Sequence, residues 1–504
     1  MRGKRAIKNV ILSVIMQITV MLCGFIVPKL IISEYGSEVN GLQSSITQFL
    51  GYIVLLESGI GPVIRASLYK PIAKKNIREI ENILYTSEKF FKKIALIFIV
   101  YILLLCFVFP IFVNKSFNST FTVSLIIIIS ISTFFEYYFG MTYRLFLRAN
   151  QESYIISYVQ IITSILNTLC VLILIKCDFS IQIVKLFSSL IFVLRPLIQY
   201  LYIKKKYKFC YKNVDKKFKL KQKWDGFSQH VAAVIHTNTD IVVLTIFSSL
   251  TDVSIYSVYA LVIKGIKNLI DSLTNGIDSA FGDMIAKNEI DSLNKSFQKY
   301  ETIYYAIIIV VFSCALFLIT PFVAVYTRGI SDANYVRYLF GYILVLAEYI
   351  YVIRLPYNTL VLSAGLFKEM RRGAWIETLS NIIISVILVY KFGLIGVAIG
   401  TLISMIYRTV EFIIIASRHI LKRDYKTVFR KIIMIVFELI LLYIVNTILT
   451  KYFNINSYTI WCLYAIIIFT FSVIFLVILE RTIDYKECKN LVLFFKSKIK
   501  KYNI

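Results

Sequence analysis

The stretch IALIFIVYILLLCFVFPIFV, residues 94–113, contains twenty successive residues without a charged side chain, nearly all of them aliphatic or aromatic. An α-helix of that length is about 30 Å long, which matches the thickness of the hydrocarbon layer of a membrane. The buried helices of soluble proteins rarely contain an apolar run this long. The stretch therefore predicts a helix that spans a membrane.

The rest of the chain has the same character. Of its 504 residues, 58% are hydrophobic and 15% aromatic, and the mean hydropathy of +0.74 is far above that of soluble domains. Apolar runs of roughly 17 to 25 residues predict about fourteen spanning helices, and hence an all-α polytopic membrane protein. The runs cover residues 10–32, 41–64, 94–113, 120–145, 153–175, 180–203, 228–248, 252–282, 302–326, 335–363, 373–391, 393–416, 431–449 and 456–479.

The net charge of +27 comes from 56 basic and 29 acidic residues. Such an excess would indicate a nucleic-acid partner if it covered one exposed face. With the N-terminal MRGKRAIK on the cytoplasmic side, however, 43 basic residues fall in inward segments and five in outward loops. This distribution follows the positive-inside rule, so we expect both termini in the cytoplasm and no nucleic-acid partner.

Two short patterns recur about 215 residues apart. SGIGPVIRASLYKPIAKKN (58–76) is similar to NGIDSAFGDMIAKNE (275–289), and LFLRANQ (145–151) is similar to LVLSAGL (360–366). Six spans separate the members of each pair, so the two halves would have the same orientation in the membrane, as in transporters with a central site between two lobes.

The longest basic segment, KKKYKFCYKNVDKKFKLKQK (204–223), holds ten lysines and lies between the halves, where we expect it to rest on anionic lipid. These patterns predict four parts of the chain. They are an N-terminal six-helix lobe (1–203), a basic cytoplasmic linker (204–227), a C-terminal six-helix lobe (228–416), and two additional helices with a basic cytoplasmic tail (417–504).

Eight basic residues remain inside the predicted spans when residues at the span ends are counted with the adjoining segments. A charge at the bilayer centre costs on the order of 3 kcal/mol, so it normally faces a protein interior or a water-filled cavity. Those near span ends can extend their side chains to the surface, and Arg408 has a carboxylate, Glu411, three residues on. The eight are Lys29, Lys185, Arg195, Lys264, Lys267, Arg337, Arg354 and Arg408.

Two of these lysines lie deep in the eighth span, in LVIKGIKNLIDSL (261–273). Lys264 and Lys267 are about 18 to 22 Å from the outer start of the span. Asp271, Asn275 and Asp278 continue the same helical face, so this helix has one polar stripe. We predict that the stripe lines a cavity that binds substrate. The alternative is that Asp271 only neutralises Lys267 in a packed interior.

Two polar residues of the tenth span are further binding candidates. Arg354 precedes Pro356 by two residues, and Asn358 follows one turn later. A helix broken by proline is tolerated in a membrane only where protein or a cavity covers the freed backbone groups. We therefore expect Arg354 and Asn358 to face the same cavity.

Three carboxylates inside the spans are candidates for ion coupling. Asp240 follows His236 by four residues near the middle of the seventh span, Glu57 lies near the inner end of the second, and Asp278 ends the polar stripe. Each could bind sodium or a proton, or could simply balance the charge of a cavity lysine.

The chain lacks the usual signs of catalysis. Its eight cysteines form no CxxC pair and do not cluster with the three histidines, so they indicate neither a disulfide framework nor a metal site. We find no Gly-rich phosphate loop, HExxH or GxSxG motif. We expect a transporter without a cofactor, and an enzyme of glycan assembly stays an alternative.

The stretch YGSEVNGLQSSITQFLGYIVLLESGIGPVIRASLYKPIAKKN (35–76), the fourteen-span plan, FLRANQESYI (146–155) and NTDIVVLTIFSSLTDVSIYSVY (238–259) resemble the Wzx-type polysaccharide flippases of the multidrug/oligosaccharidyl-lipid/polysaccharide superfamily. The resemblance covers nearly the whole chain. It implies a MATE-like fold with two six-helix lobes and two C-terminal helices beside a groove for a lipid tail.

The resemblance also implies a function. The substrate would be an undecaprenyl-pyrophosphate-linked oligosaccharide, moved to the outer leaflet of a bacterial plasma membrane for capsule or other surface polysaccharide synthesis. A polysaccharide polymerase and other assembly proteins would be partners, and Na⁺ or H⁺ the coupling ion. Lys264, Lys267 and Arg354 would contact the pyrophosphate. The alternatives are a MATE-type drug exporter, which should favour an acidic or aromatic cavity, and a lipid II flippase, which shares the need for cations.

Overall fold

A computed structural model describes residues 2–57, 59–209, 211, 214–215, 227–274, 277–424 and 426–483. Every regular secondary-structure element in these residues is helical. In a hydrocarbon layer each backbone N–H and C=O group must be bonded within its own segment, and long runs of Ile, Leu and Phe satisfy that condition as helices. Large apolar side chains lie exposed along their outer faces, Phe107 for example being 77% exposed, as expected of surfaces in contact with lipid.

The chain divides into two compact units, Met1–Ser257 and Val258–Ile504, hereafter the first and second unit. The division falls inside one helix, α11. The boundaries at 203 and 228 expected from the sequence stay predictions. The first unit contains α1 (Arg2–Tyr35), α2 (Ser37–Gly51), α3 (Val54–Glu57), α4 (Ile60–Lys74), α5 (Ile77–Val113), α6 (Ser119–Phe135), α7 (Met141–Ala149), α8 (Ser153–Lys176), α9 (Ile181–Tyr207), α10 (Phe227–Phe247) and the start of α11 (Leu250–Thr274).

The second unit contains the rest of α11 and eight further helices. In the part of the chain that the structure describes, two π-helical segments interrupt the α-helical pattern, Glu136–Gly140 before α7 in the first unit and Ala416–Leu421 after α17 in the second. The further helices are α12 (Ile277–Ala286), α13 (Ile290–Tyr326), α14 (Tyr338–Ile353), α15 (Leu355–Ser363), α16 (Phe367–Phe392), α17 (Leu394–Ile415), α18 (Lys426–Tyr452) and α19 (Tyr458–Ile483).

The expectation of an all-α polytopic membrane protein is confirmed. Within the described residues, twelve helical stretches are long and apolar enough to cross a membrane, or thirteen if the bent pair Ser37–Glu57 and Ile60–Lys74 counts as one span. The seventh predicted span corresponds to α10, of which Asn238–Phe247 qualifies as a shorter apolar helix. The predicted number of fourteen spans is therefore reached only if the bent pair and the short helix Asn238–Phe247 each count as one span.

A break in the tenth predicted span separates α14 from α15 at Arg354. Pro356 has no N–H group to donate to the carbonyl of Val352. The hydroxyl of Tyr304 on α13 donates to that carbonyl instead, at 3.2 Å, and Tyr305 donates to the next carbonyl at 3.3 Å. Protein thus covers the freed backbone groups, as a broken helix in a membrane requires.

Small residues bring α16 and α17 close together. A Cβ atom on Gly396 would lie 2.4 Å from the carbonyl oxygen of Leu388, and one on Gly400 would lie 2.2 Å from the hydroxyl of Ser385. Close backbone approach at glycine is a usual way to pack helices in membranes, where no hydrophobic effect drives them together. This contact fixes the relative positions of the charged residues on the two helices.

Candidate functional site

The described part of the polar stripe of α11 is partly accessible, and one of its lysines forms an ion pair with another helix. Lys264 is exposed. The Nζ atom of Lys267 lies 2.7 Å from Oε2 of Glu348 on α14, and both side chains are only 16% exposed. The same ammonium group lies 3.9 Å from the ring centroid of Tyr351. Asp271 is partly buried, with Lys267 and Glu348 as its electrostatic neighbours.

The described charges of the stripe sum to zero once Glu348 is included, because two lysines face two carboxylates. Neutralisation of Lys267 thus comes mainly from another helix rather than from Asp271. Among the described residues, Lys264 forms no ion pair. Asn275 lies outside the described residues, and so does the side chain of Asp278. The assignment of Lys264 and Lys267 as substrate contacts stays a prediction.

Arg354 also contacts the Tyr351 ring, with its guanidinium 4.6 Å from the ring centroid. It is 7% exposed, and its Nη1 atom donates to Oε1 of Glu377 at 2.9 Å. Oε2 of Glu377 lies 3.0 Å from Nε of Arg408, which is 1% exposed. Arg408 in turn pairs with Glu411, as the sequence spacing predicts. We call these four residues the arginine–glutamate chain.

The arginine–glutamate chain alternates in sign and is neutral as a whole. Burying such ions is costly unless partners replace water. Here Oε1 of Glu377 accepts a hydrogen bond from Arg354, and Oε2 lies at ion-pair distance from Arg408. The ring of Phe412 lies 4.5 Å from the guanidinium of Arg408. The chain joins the α14–α15 break to α16 and α17, which makes it a structural clamp. Asn358 is partly buried on α15, and its role in substrate binding stays a prediction.

The first unit holds a second set of charges that the sequence pattern did not reveal. Nη2 of Arg144 lies 2.6 Å from Oε1 of Glu136. Arg148, one turn further along α7, has the charges of Arg144, Arg65, Glu57 and Glu136 as electrostatic neighbours. Glu57, a candidate for ion coupling, thus lies near arginines and is suited to balance their charge.

Arg195 on α9 completes this set. Its Nε atom donates to the hydroxyl of Thr163 at 2.8 Å, and Nη2 donates to Ser164 at 3.1 Å. Two hydroxyls of α8 thus bind the Arg195 guanidinium. Its charged neighbours are Arg144 and Glu136.

We call the set the arginine cluster, which comprises Arg65, Arg144, Arg148 and Arg195 with Glu57 and Glu136. Four arginines against two glutamates leave an excess of two positive charges. The Nε atoms of Arg65 and Arg144 are buried, and in the described part of the chain they have no hydrogen-bond partner. Guanidinium groups present planar pairs of donors that match phosphate oxygens, so the cluster can bind a phosphorylated anion.

Sequence reasoning missed the cluster for a definite reason. Arg65 and Arg148 follow the predicted spans 41–64 and 120–145, and Arg144 lies at the end of the second of these spans. Basic residues are expected at such cytoplasmic span ends, whereas the structure places all three on helices, α4 and α7. The i, i+4 spacing of Arg144 and Arg148 was the signal that could have placed them on one helical face.

Asp240, a further candidate for ion coupling, lies on α10. It is 5% exposed, and its Oδ2 atom accepts a hydrogen bond from the hydroxyl of Tyr256 at 2.7 Å. The side chain of His236 lies outside the described residues. Among the residues described, no group of three or more His, Cys, Asp and Glu side chains could hold a metal ion. Ion coupling through Asp240 stays a prediction.

Comparison with known proteins identifies the fold. No protein-family model matches the chain, and no curated protein matches it in sequence. The solved structure of the lipid II flippase MurJ in an inward closed conformation matches with a TM-score of 0.66 and 16% identity, over 94% of this chain and 99% of that one.

Two MATE transporters match over a smaller share of this chain. An inward-facing MATE family transporter of the MOP superfamily has a TM-score of 0.58 and 12% identity, over 80% of this chain and 98% of that one. The eukaryotic MATE transporter AtDTX14 has the same TM-score and identity, over 84% of this chain and 97% of that one. At such low identities the likeness establishes a MATE-like fold and leaves the substrate open.

Proposed function

We propose that the protein is a flippase that moves undecaprenyl-pyrophosphate-linked oligosaccharide repeat units from the cytoplasmic to the outer leaflet by alternating access, for capsule or other surface polysaccharide synthesis. The observation that carries the proposal is the arginine cluster, an excess of two positive charges inside a membrane-spanning unit. A pyrophosphate diester carries two negative charges, which equals that excess.

The position of the cluster suits the first contact with such a substrate. Its α7 arginines lie at the inner end of the fourth predicted span, where a lipid-linked sugar of the cytoplasmic leaflet would enter. Inside a protein, attraction between opposite charges is stronger than in water. Glu57 and Glu136 reduce the attraction, so the head group can also leave. Lys264 supplies a further exposed cation on α11.

The resemblance among solved structures supports a lipid substrate over a drug. The lipid II flippase MurJ matches over 94% of this chain, whereas the two MATE transporters match over 80% and 84%. Lipid II is therefore the second candidate substrate. It also carries its sugars on a pyrophosphate lipid, so the arginine cluster would suit it as well. The excess of positive charge would repel organic cations, so it disfavours a transporter of such substrates.

A flipping assay in proteoliposomes separates these substrates. We expect the wild-type protein to translocate a fluorescent undecaprenyl-pyrophosphate oligosaccharide faster than lipid II, and not to transport an organic cation. Faster flipping of lipid II would replace the proposed substrate by the second candidate. Transport of the organic cation with no lipid flipping would overturn both.

The same assay tests the stripe of α11. Lys264→Ala should slow flipping, because this cation has no ion pair among the described residues. Lys267→Ala should slow it less, because the partner of Lys267 is Glu348. Lys287→Ala, which removes an exposed lysine after α12, is the matched control and should flip at the wild-type rate. Wild-type rates for folded Lys264→Ala would remove Lys264 from the substrate path.

A further inference from the structure

A carboxyl group lies fully buried where α13, α14, α18 and α19 meet within the second unit. Glu438 on α18 is 0% exposed, as are Ser313 on α13 and Ser472 on α19. Tyr349 on α14 is 1% exposed. We call these four residues the buried carboxyl site. None of them belongs to the polar stripe, to the arginine–glutamate chain or to the arginine cluster.

Neutral groups surround this carboxyl. Ser313 Oγ donates to Oε2 of Glu438 at 3.3 Å, and the hydroxyl of Ser472 donates to Oε1. The hydroxyl of Tyr349 is buried, with Ser313 as a neighbour. Among the described residues, Tyr349 and the Cys314 thiol are ionisable groups with Glu438 as an electrostatic neighbour.

Other buried glutamates of the second unit are different. Glu301 is held by Arg423 at 2.7 Å and by Lys431 at 3.0 Å, and Glu377 is held by two arginines of the arginine–glutamate chain. No basic side chain forms an ion pair with Glu438 in the residues that the structure describes. An ionised carboxylate without a cation is costly in such a place, whereas a protonated carboxyl can bury itself and donate one hydrogen bond.

Glu438 lies too deep in its span for the carboxyl group to reach water. The candidate span on α18 is Arg430–Tyr452, so Glu438 lies about 12 Å from one end and about 21 Å from the other. An acidic side chain is too short to reach either surface from there. Exchange of a proton with water therefore requires the packing of α13, α18 and α19 to open.

The site also adjoins a helix of the polar stripe. Tyr349 follows directly after Glu348, the residue that pairs with Lys267. Successive residues of a helix point about 100° apart, so α14 faces the buried carboxyl with one residue and α11 with the other. A change in the packing around Glu438 would therefore act on α14, whose Glu348 pairs with Lys267.

We propose that Glu438 is a proton-binding residue that couples the motion of α14 to a proton gradient. Glu438 is protonated while α13, α14, α18 and α19 are packed around it as described above. The proton is released to water when that packing opens toward the opposite side of the membrane. The coupling role depends on the proposed flippase function, whereas proton binding by Glu438 does not.

Labelling with a carbodiimide tests proton binding without transport, because this reagent modifies protonated carboxyls in apolar surroundings. We expect mass spectrometry of the purified protein to show modification of Glu438 that falls as the pH rises. Glu438→Gln should abolish the label. Glu34→Gln, which changes an exposed carboxyl, should leave it unchanged. No label at any pH would overturn the proposal, and so would loss of the label on adding Na⁺ at constant pH, which would indicate a sodium site.

Two variants then test coupling in proteoliposomes. Flipping by the wild type should accelerate when a pH gradient is imposed, and Glu438→Gln should lose that acceleration. Ser472→Ala removes one donor to the carboxylate, so its carbodiimide label should persist to higher pH. An unchanged gradient response in Glu438→Gln would refute coupling. If the wild type flips no lipid but Glu438 is labelled as expected, the proposed function fails and the proton site stands.

Discussion

Replacing Glu377 by glutamine should destabilise the second unit strongly, because Glu377 lies between two buried arginines. Its two oxygens meet Arg354 at 2.9 Å and Arg408 at 3.0 Å. Glutamine has nearly the same volume but no charge, so packing changes little. Arg408 would retain Glu411, whereas Arg354 would have no ion pair left in the described part of the chain.

The size of the effect follows from this pairing. Removing one partner of a buried ion pair costs about 3–5 kcal/mol, because the other charge stays buried without compensation. Arg408 keeps one partner, so we expect the lower end of that range, about 3 kcal/mol. Arg354→Met alone should cost less, since Glu377 would keep Arg408. The double variant should be more stable than the sum of the two single effects indicates, by about 2 kcal/mol.

Equilibrium unfolding in mixed detergent micelles measures these differences. Asp283→Asn is the control, because it breaks an i, i+4 pair with Lys287 in which the side chains are 62% and 58% exposed. Such a pair contributes little, so the stability should not change measurably. If Glu377→Gln stays within about 1 kcal/mol of the wild type, the arginine–glutamate chain is not a buried clamp. Arg354 would then be solvated, as its assignment to a substrate cavity requires.

Two further predictions concern packing and pairing. Gly41→Ala should lower the unfolding temperature clearly, because the added Cβ would lie 1.8 Å from the carbonyl oxygen of Leu250. An unchanged unfolding temperature would mean that α2 and α11 are not in close contact. Lys267→Ala should reduce the free energy of unfolding by about 1–3 kcal/mol, because Glu348 loses its partner, whereas Lys264→Ala should not; equal effects would refute the observed pairing.

Hydropathy located nearly all the crossing helices because the thickness of the hydrocarbon layer imposes a length that a single run of sequence reveals. The breaks were harder to find. Pro356 signals the one at Arg354 through its missing N–H group. The break at Gly59 depends on a left-handed backbone conformation, with φ of 76°, which glycine adopts without strain but which hydropathy does not report.

The pairing of charges was predictable only where it was local. Arg408 and Glu411 are three residues apart on one helix, so their ion pair could be expected from spacing. Lys267 pairs with Glu348 from another span, and no pattern within one helix identifies that partner. Interhelical pairing decides whether a buried charge is available to a substrate, so the composition of one stripe was an incomplete guide to its net charge.

The proposed substrate depends most directly on the arginine cluster, and one measurement tests that dependence. Flipping of a fluorescent undecaprenyl-pyrophosphate oligosaccharide should be compared in proteoliposomes between the wild type, Arg65→Ala/Arg148→Ala and the exposed control Lys287→Ala. We predict that the double variant is folded and loses most of the flipping rate, because two guanidinium groups near the head group are gone, whereas the control keeps it. A folded double variant that flips the lipid at the wild-type rate would contradict the assignment of the cluster to the substrate.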